Sequence, residues 1–128
     1  MGNRRRFTLR LFQNALLLTL GLAATGVHLE GHAILKSSSP ANGGSVTRTD
    51  VPVKLTFNVR VDAARSKLQL VMPDASIAEL PLVKWPSPDT LVSKLSGLKA
   101  GAYAIRWQVL APDGHISRGE ISFTVRTP

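Results

Sequence analysis

Apolar and polar residues alternate with a period of two through much of this chain, and this pattern constrains its fold more than any other feature. In a segment of this kind every second side chain points to the same face. One face is then buried and the other solvated, as in a strand of an antiparallel sheet that covers a core. The clearest segments are Val53–Phe57, Leu68–Met72, Tyr103–Val109 and Ile121–Val125.

Glycine and proline clusters separate these segments and predict turns between them. We predict further, weaker strands at Ala33–Ser38, Ile77–Val83 and Thr90–Leu95, and at most one helical turn, at Ala63–Arg65. About seven short strands in one domain favour an all-β fold, an Ig-like Greek-key β-sandwich. Trp107, in the most apolar strand, is predicted to lie at the centre of the core, and Met72 is predicted to be a core residue.

The beginning of the chain has a different composition. A cluster of basic residues precedes a short apolar run at 15–27, which is the pattern of a secretory signal peptide. The run is shorter than the roughly 20 residues that span a bilayer. We therefore expect residues 1–31 to be a cleaved signal peptide and residues 32–128 to form one periplasmic domain without a membrane span. The basic cluster at the start of this signal peptide consists of Arg4, Arg5, Arg6 and Arg10.

The sequence is compatible with two export routes and with more than one cleavage position. The segment Arg4–Leu9 resembles a twin-arginine motif, but a general-secretion signal with several arginines fits as well. Cleavage after Gly31 places a small residue before the cut, and so would cleavage near Ala24 or Gly26. The choice matters because cleavage after Gly31 makes His32 the new N-terminus.

Charge and cysteine content exclude several classes of protein. The chain has 16 basic and 8 acidic residues, a formal charge of +8. Four of the basic residues lie in the signal peptide. The lysines are spread along the rest of the chain, so we expect no nucleic-acid partner. Because there is no cysteine, disulfides, thiolate metal sites and a cysteine nucleophile are impossible.

The histidines are the candidate ligands of a metal ion. The chain has three, and His28 leaves with the leader. Asp113 and His115 stand two residues apart, so that in an extended segment they point the same way; Asp-Gly is also a common hairpin turn. His32 at a free N-terminus would add an imidazole and an α-amine. Three nitrogens and one carboxylate oxygen suit tetragonal Cu(II), and zinc accepts similar ligands in a tetrahedral arrangement.

Two segments of the chain resemble the CopC family of periplasmic copper-binding proteins, His32–Gly43 and Gly101–Gly119. The resemblance implies one Cu(II) per chain, held by His32, Asp113 and His115. It also implies a role in copper sequestration, trafficking or resistance, and a CopD-type membrane permease as a partner.

The chain departs from the family pattern in two ways. Many relatives have Ser-x-Asp-x-His-Pro, whereas Ala111 replaces the serine here and Ile116 replaces the proline. These changes affect the groups that hydrogen-bond the ligands rather than the ligands themselves. Some members also carry a methionine-rich segment for Cu(I). Met72 is the one methionine after the leader, so we expect no Cu(I) site.

Two alternative functions belong to other classes. A histidine-brace copper enzyme of the monooxygenase type uses a similar N-terminal histidine. However, Asp113 would occupy the position that oxygen needs, so we expect no enzymatic activity. The second alternative is a metal-free sandwich module for protein interaction, which a metal titration distinguishes from a copper protein.

Overall fold

The computed structural model describes residues 32–127 of the chain, and these residues form eight β-strands and one 3-10 turn. The signal-peptide prediction falls outside the described residues. Within residues 32–127, no helix has the length and hydrophobicity that a membrane crossing requires. The elements are β1 (Leu35–Ser39), β2 (Gly44–Val46), β3 (Val51–Phe57), the 3-10 turn (Ala63–Arg65), β4 (Lys67–Val71), β5 (Ile77–Leu80), β6 (Thr90–Leu95), β7 (Gly101–Leu110) and β8 (Ile116–Val125).

The strands form two sheets that enclose one core. A three-stranded sheet has the order β1-β3-β6, and a five-stranded sheet has the order β2-β8-β7-β4-β5. All neighbours are antiparallel except the short β2, which runs parallel to β8. The prediction of an all-β sandwich is thereby confirmed.

The alternation seen in the sequence produces the core. On β3, every second residue from Val51 to Phe57 is buried, and the residues between them are exposed or half-buried. Phe57 meets Trp107 of the other sheet edge to face, with ring centroids 5.1 Å apart, so the two sheets are in direct contact. Such an aromatic pair adds about 1 kcal/mol beyond the area that it buries.

Trp107 and Met72 lie nearer the margin of the core than the sequence suggested. Trp107 is 9% exposed, whereas Leu55 and Ile105 are completely enclosed. Its indole nitrogen is buried without a hydrogen-bond partner. Met72 is half-buried and packs against the core from its edge. Both residues therefore have packing roles.

Two edge elements differ from the prediction. Strand β5 ends at Leu80, before Pro81, which has no N–H to donate to a ladder; Val83 makes only an isolated bridge to Val92. Strand β2 was not predicted, because its glycine-rich sequence is typical of a turn. Gly43, just before β2, donates to Ser122 O of β8 at 2.7 Å, and this bond places β2 beside β8.

Backbone hydrogen bonds join several loops at one end of the sandwich. Asp62 in the β3–β4 loop donates to Leu110 O at 2.9 Å, at the start of the β7–β8 connection. Asn58 in the same loop donates to Ile34 O, also at 2.9 Å. This end of the molecule therefore brings the beginning of the described chain close to the turn between β7 and β8.

Candidate metal site

The β7–β8 turn places two of the three expected ligands. Ala111 donates its N–H to His115 O at 2.9 Å, and Gly114 donates to Ala111 O at 3.0 Å. Gly114 has a φ of 85°, a conformation that glycine adopts without the steric cost a side chain incurs. The turn is therefore closed by main-chain bonds, and residue 111 does not need a serine side chain for this closure.

Asp113 and His115 are in direct contact within this turn. One carboxylate oxygen of Asp113, Oδ1, accepts the His115 N–H at 3.0 Å, and the other, Oδ2, lies 2.9 Å from His115 Nδ1. The side chains are 30% and 51% exposed, respectively. The backbone N–H of His115, and then its side chain, hold the pKa of the Asp113 carboxyl below its usual value. Asp113 therefore stays ionised in moderate acid, as a metal ligand must.

His32 lies beside this pair, in the segment that precedes β1 of the other sheet. Its ring centroid lies 5.2 Å from that of His115, with an angle of 55° between the ring planes. The next residue, Ala33, is buried in the core at 5% exposure. The structure therefore brings together all three residues that the sequence singled out, even though 81 positions separate His32 from Asp113 along the chain.

Asn58 holds the segment that carries His32, and the sequence reasoning did not identify it. Its side-chain oxygen Oδ1 accepts the Ile34 N–H at 2.6 Å, while its own N–H donates to the Ile34 carbonyl. Two bonds thus fix Ile34 two residues after His32. The only local signal is an amide residue directly after the apolar strand β3.

The donors match the ligand set of a nitrogen and oxygen metal site. Within residues 32–127, no three His, Cys, Asp or Glu side chains are already grouped as a metal cage; the structure shows a carboxylate–histidine pair with a second imidazole beside it. In metal sites a carboxylate often accepts a hydrogen bond from one ring nitrogen of a histidine while the other nitrogen binds the ion. Asp113 can therefore bind the metal or orient His115 toward it.

The surroundings of the pair are partly apolar. Ile116 is 50% exposed, and Ile34 is 61% exposed. Ala111 is buried at 3% exposure. The side chains at 111 and 116 thus supply no hydrogen bond to the candidate ligands, and the main chain and Asp113 make the bonds that shape the turn.

Met72 lies far from this pair, at the opposite end of the sandwich. It lines an open cavity of about 500 Å³ together with Pro73, Leu98 and Tyr103. Strand β7 begins beside this cavity, at Gly101, and ends at the turn that carries Asp113 and His115. The methionine and the histidines therefore belong to separate regions.

The chain matches one family model and is similar to several known proteins. The family model of the CopC domain matches residues 35–126. Protein YobA of Escherichia coli K12 is 29% identical over 113 residues, which cover 86% of this chain and 90% of that protein. Copper resistance protein C of Xanthomonas campestris pv. juglandis is 29% identical over 103 residues, covering 74% and 80% of the two chains.

Solved structures show the same fold. The crystal structure of CopC from Methylosinus trichosporium OB3b matches with a TM-score of 0.70 and 28% identity, over 75% of this chain and 95% of that one. PcoC, a methionine-rich copper resistance protein from Escherichia coli, matches with a TM-score of 0.62 and 25% identity, over 74% of this chain and 99% of that one.

Proposed function

Because the chain belongs to the CopC family, we propose that it is a periplasmic protein that binds one Cu(II) ion and acts in copper sequestration, trafficking or resistance. The observation that carries the proposal is the contact between Asp113 and His115, with the ring of His32 5.2 Å from that of His115. The names of two relatives, a copper resistance protein and a methionine-rich copper resistance protein, support the choice of metal.

We assign the ligands to His32, Asp113 and His115. When cleavage after Gly31 frees the α-amine of His32, that amine and the His32 imidazole form one chelate. Two imidazoles, one amine and one carboxylate then make the nitrogen and oxygen set that suits Cu(II). Because these groups must lose their protons to bind a metal, the affinity falls as the pH is lowered.

An exposed site suits a carrier. Half of the His115 side chain is open to solvent, so a second protein can approach the ion and replace ligands one at a time. Delivery to a CopD-type permease is the form of transfer that we propose. Asp113 is the fourth ligand of the ion, so no equatorial position is left for oxygen. For this reason we propose that the protein is not an enzyme.

A Cu(II) titration of the mature protein, beginning at His32, tests this proposal. We expect one equivalent to bind, measured in competition with a chelator of known affinity. The double variant Asp113→Ala, His115→Ala should bind at least a hundredfold more weakly. The matched control is Asp74→Ala, since Asp74 accepts the Ser76 N–H at 2.9 Å in the same kind of turn at the other end of the sandwich. Equal affinity of the mature protein and the double variant would refute the assignment.

A second titration tests the N-terminal chelate alone. A protein with one extra residue before His32 keeps all the side chains but converts the α-amine into an amide. We expect markedly weaker Cu(II) binding by this extended protein. If both forms bind equally, the α-amine is not a ligand, although the side-chain assignment would stand.

A further inference from the structure

The three-stranded sheet presents an outer surface that the proposed metal site does not use. We call it the tryptophan face and define it by Lys54, Val83, Trp85, Val92 and Lys94. Val83 bridges to Val92, which lies opposite Lys54 in the register, so these side chains are neighbours across the sheet. Lys54 Nζ lies 5.2 Å from the centre of the Trp85 ring. Trp85 is 43% exposed and Val83 52%.

The charged residues on the strands of the three-stranded sheet are all basic. Each of β1, β3 and β6 contains one lysine, Lys36, Lys54 and Lys94 respectively, and none contains an acidic residue. All three lysines are exposed. The carboxylates nearest in sequence to β3 and β6 are Asp50 and Asp89, which precede these strands and therefore lie at opposite ends of the antiparallel pair. The tryptophan face is thus both cationic and apolar.

The other sheet differs in this respect. On its outer surface Arg106 donates to Glu120 at 3.0 Å, and Gln69 donates to Glu79 at 2.6 Å. Two glutamates on the strands of the five-stranded sheet, Glu79 and Glu120, therefore partly offset its cations, which are Lys67, Arg106 and Arg118. The same kind of compensation is missing across β1, β3 and β6, so an anionic partner would complement that sheet.

We propose that the tryptophan face docks on an anionic phospholipid surface. Lysines are attracted to the negative potential of such a surface. Tryptophan prefers the boundary between headgroups and acyl chains, because its ring is apolar while its N–H is polar. Lys54 packs over the indole, so the charge and the ring reach the surface together. Val83 adds apolar area beside Trp85.

This docking is weak and reversible, and its role is to concentrate the protein near a membrane. Each lysine near an anionic surface contributes about 1 kcal/mol, or roughly fivefold in partitioning. The attraction decreases with salt, because the Debye length is about 8 Å at physiological ionic strength. The proposal does not depend on copper, and its test can fail or succeed independently of the metal assignment.

Co-sedimentation of the metal-free mature protein with lipid vesicles tests the proposal. We expect binding to vesicles of phosphatidylcholine with 40% phosphatidylglycerol at low salt, and at least tenfold weaker binding to pure phosphatidylcholine. The variant Lys54→Gln, Lys94→Gln should lower partitioning more than tenfold. The control Lys67→Gln, on the outer surface of the five-stranded sheet, removes a comparable exposed lysine and should lower it less than twofold.

Tryptophan emission provides a second readout. Binding should shift the emission to the blue, and Trp85→Ala should abolish this shift because the remaining Trp107 is already buried. Equal binding to both vesicle types, or equal losses for Lys67→Gln and the double lysine variant, would overturn the proposal. Binding to polyglutamate without binding to anionic vesicles would also overturn it, and would indicate an acidic protein partner instead.

Discussion

One amide side chain, that of Asn58, connects the beginning of the described chain to the rest of the sandwich. It accepts the Ile34 N–H at 2.6 Å, and its main chain donates to the same residue. Ala33, between His32 and Ile34, is buried in the core. The position of His32 is therefore restricted in the metal-free protein, which would lower the entropic cost of bringing the candidate ligands together around an ion.

We predict that Asn58→Ala weakens Cu(II) binding about fivefold, because one hydrogen bond of about 1 kcal/mol no longer restrains the His32 segment. Competition with a chelator measures this change. Asn42→Ala is the control, since Asn42 Oδ1 accepts the Ser122 N–H at 3.0 Å where β2 meets β8. If Asn42→Ala weakened binding as much as Asn58→Ala, the effect would be general destabilisation and the positioning role would be wrong.

Asp74 provides a pH-dependent contribution to folding. Its Oδ1 accepts hydrogen bonds from both the hydroxyl and the N–H of Ser76, and these lower the pKa of its carboxyl below its usual value. A lowered pKa in the folded state means that the stabilisation is present above the unfolded value and is lost as the pH falls through the folded one.

We therefore predict that Asp74→Asn lowers the Tm at pH 6, and that the difference from the original protein shrinks below pH 4. Thermal denaturation followed by circular dichroism from pH 2.5 to 7 measures both effects. A difference that stays constant over this range would show that the ionised carboxylate is not what stabilises the turn.

At the scale of elements, period-two alternation predicted β3, β4, β7 and the second half of β8, because half-buried strands carry their burial pattern in their own residues. Strand β2 was missed because the pairing that makes it a strand is with β8, far along the chain. The same difference between local and long-range signals applies to the candidate ligands and Asn58. Asp113 and His115 were singled out as candidate ligands from their spacing, although they meet in a turn and not in an extended segment. The bonds of Asn58 to Ile34, in contrast, arise only when the chain has folded.

Gly119 on β8 shows a packing constraint that alternation alone does not reveal. It lies opposite Trp107 in the register, and a methyl group at this position would lie 2.5 Å from Trp107 Cε2 and 2.9 Å from Nε1. In an unobstructed strand, replacing glycine by alanine stabilises by about 0.5–1 kcal/mol. Here the indole occupies the space, so the sign of the change is reversed.

We predict that Gly119→Ala lowers the free energy of unfolding by about 1–3 kcal/mol, the usual cost of overpacking. Urea denaturation measures it. In a Trp107→Phe background, where the second ring of the indole is removed, the same change should cost at least 1 kcal/mol less, which a double-mutant cycle reports as coupling. Additive effects of the two changes would show that the clash with the indole is not the cause.

At the scale of the whole molecule, the candidate ligands come from two different sheets. His32 precedes β1 of the three-stranded sheet, while Asp113 and His115 lie between β7 and β8 of the five-stranded sheet. An ion bound to all three would cross-link the sheets at one end of the sandwich. Unfolding separates the sheets and disperses the ligands, so the bound metal stabilises the folded state by mass action.

We predict that free Cu(II) at a hundred times its Kd raises the Tm of the mature protein by roughly 10–20 °C, since this excess contributes about 2.7 kcal/mol and each kcal/mol raises the Tm of a domain this small by about 4–8 °C. Differential scanning calorimetry at pH 7.5 measures the rise.

Zn(II) at the same concentration should give a smaller rise in Tm than Cu(II), in line with the order of intrinsic affinities. At pH 5 the copper effect should shrink, because the imidazoles must be deprotonated to bind. A rise of equal size in the Asp113→Ala, His115→Ala variant would mean that copper stabilises the protein from somewhere other than the junction of the two sheets.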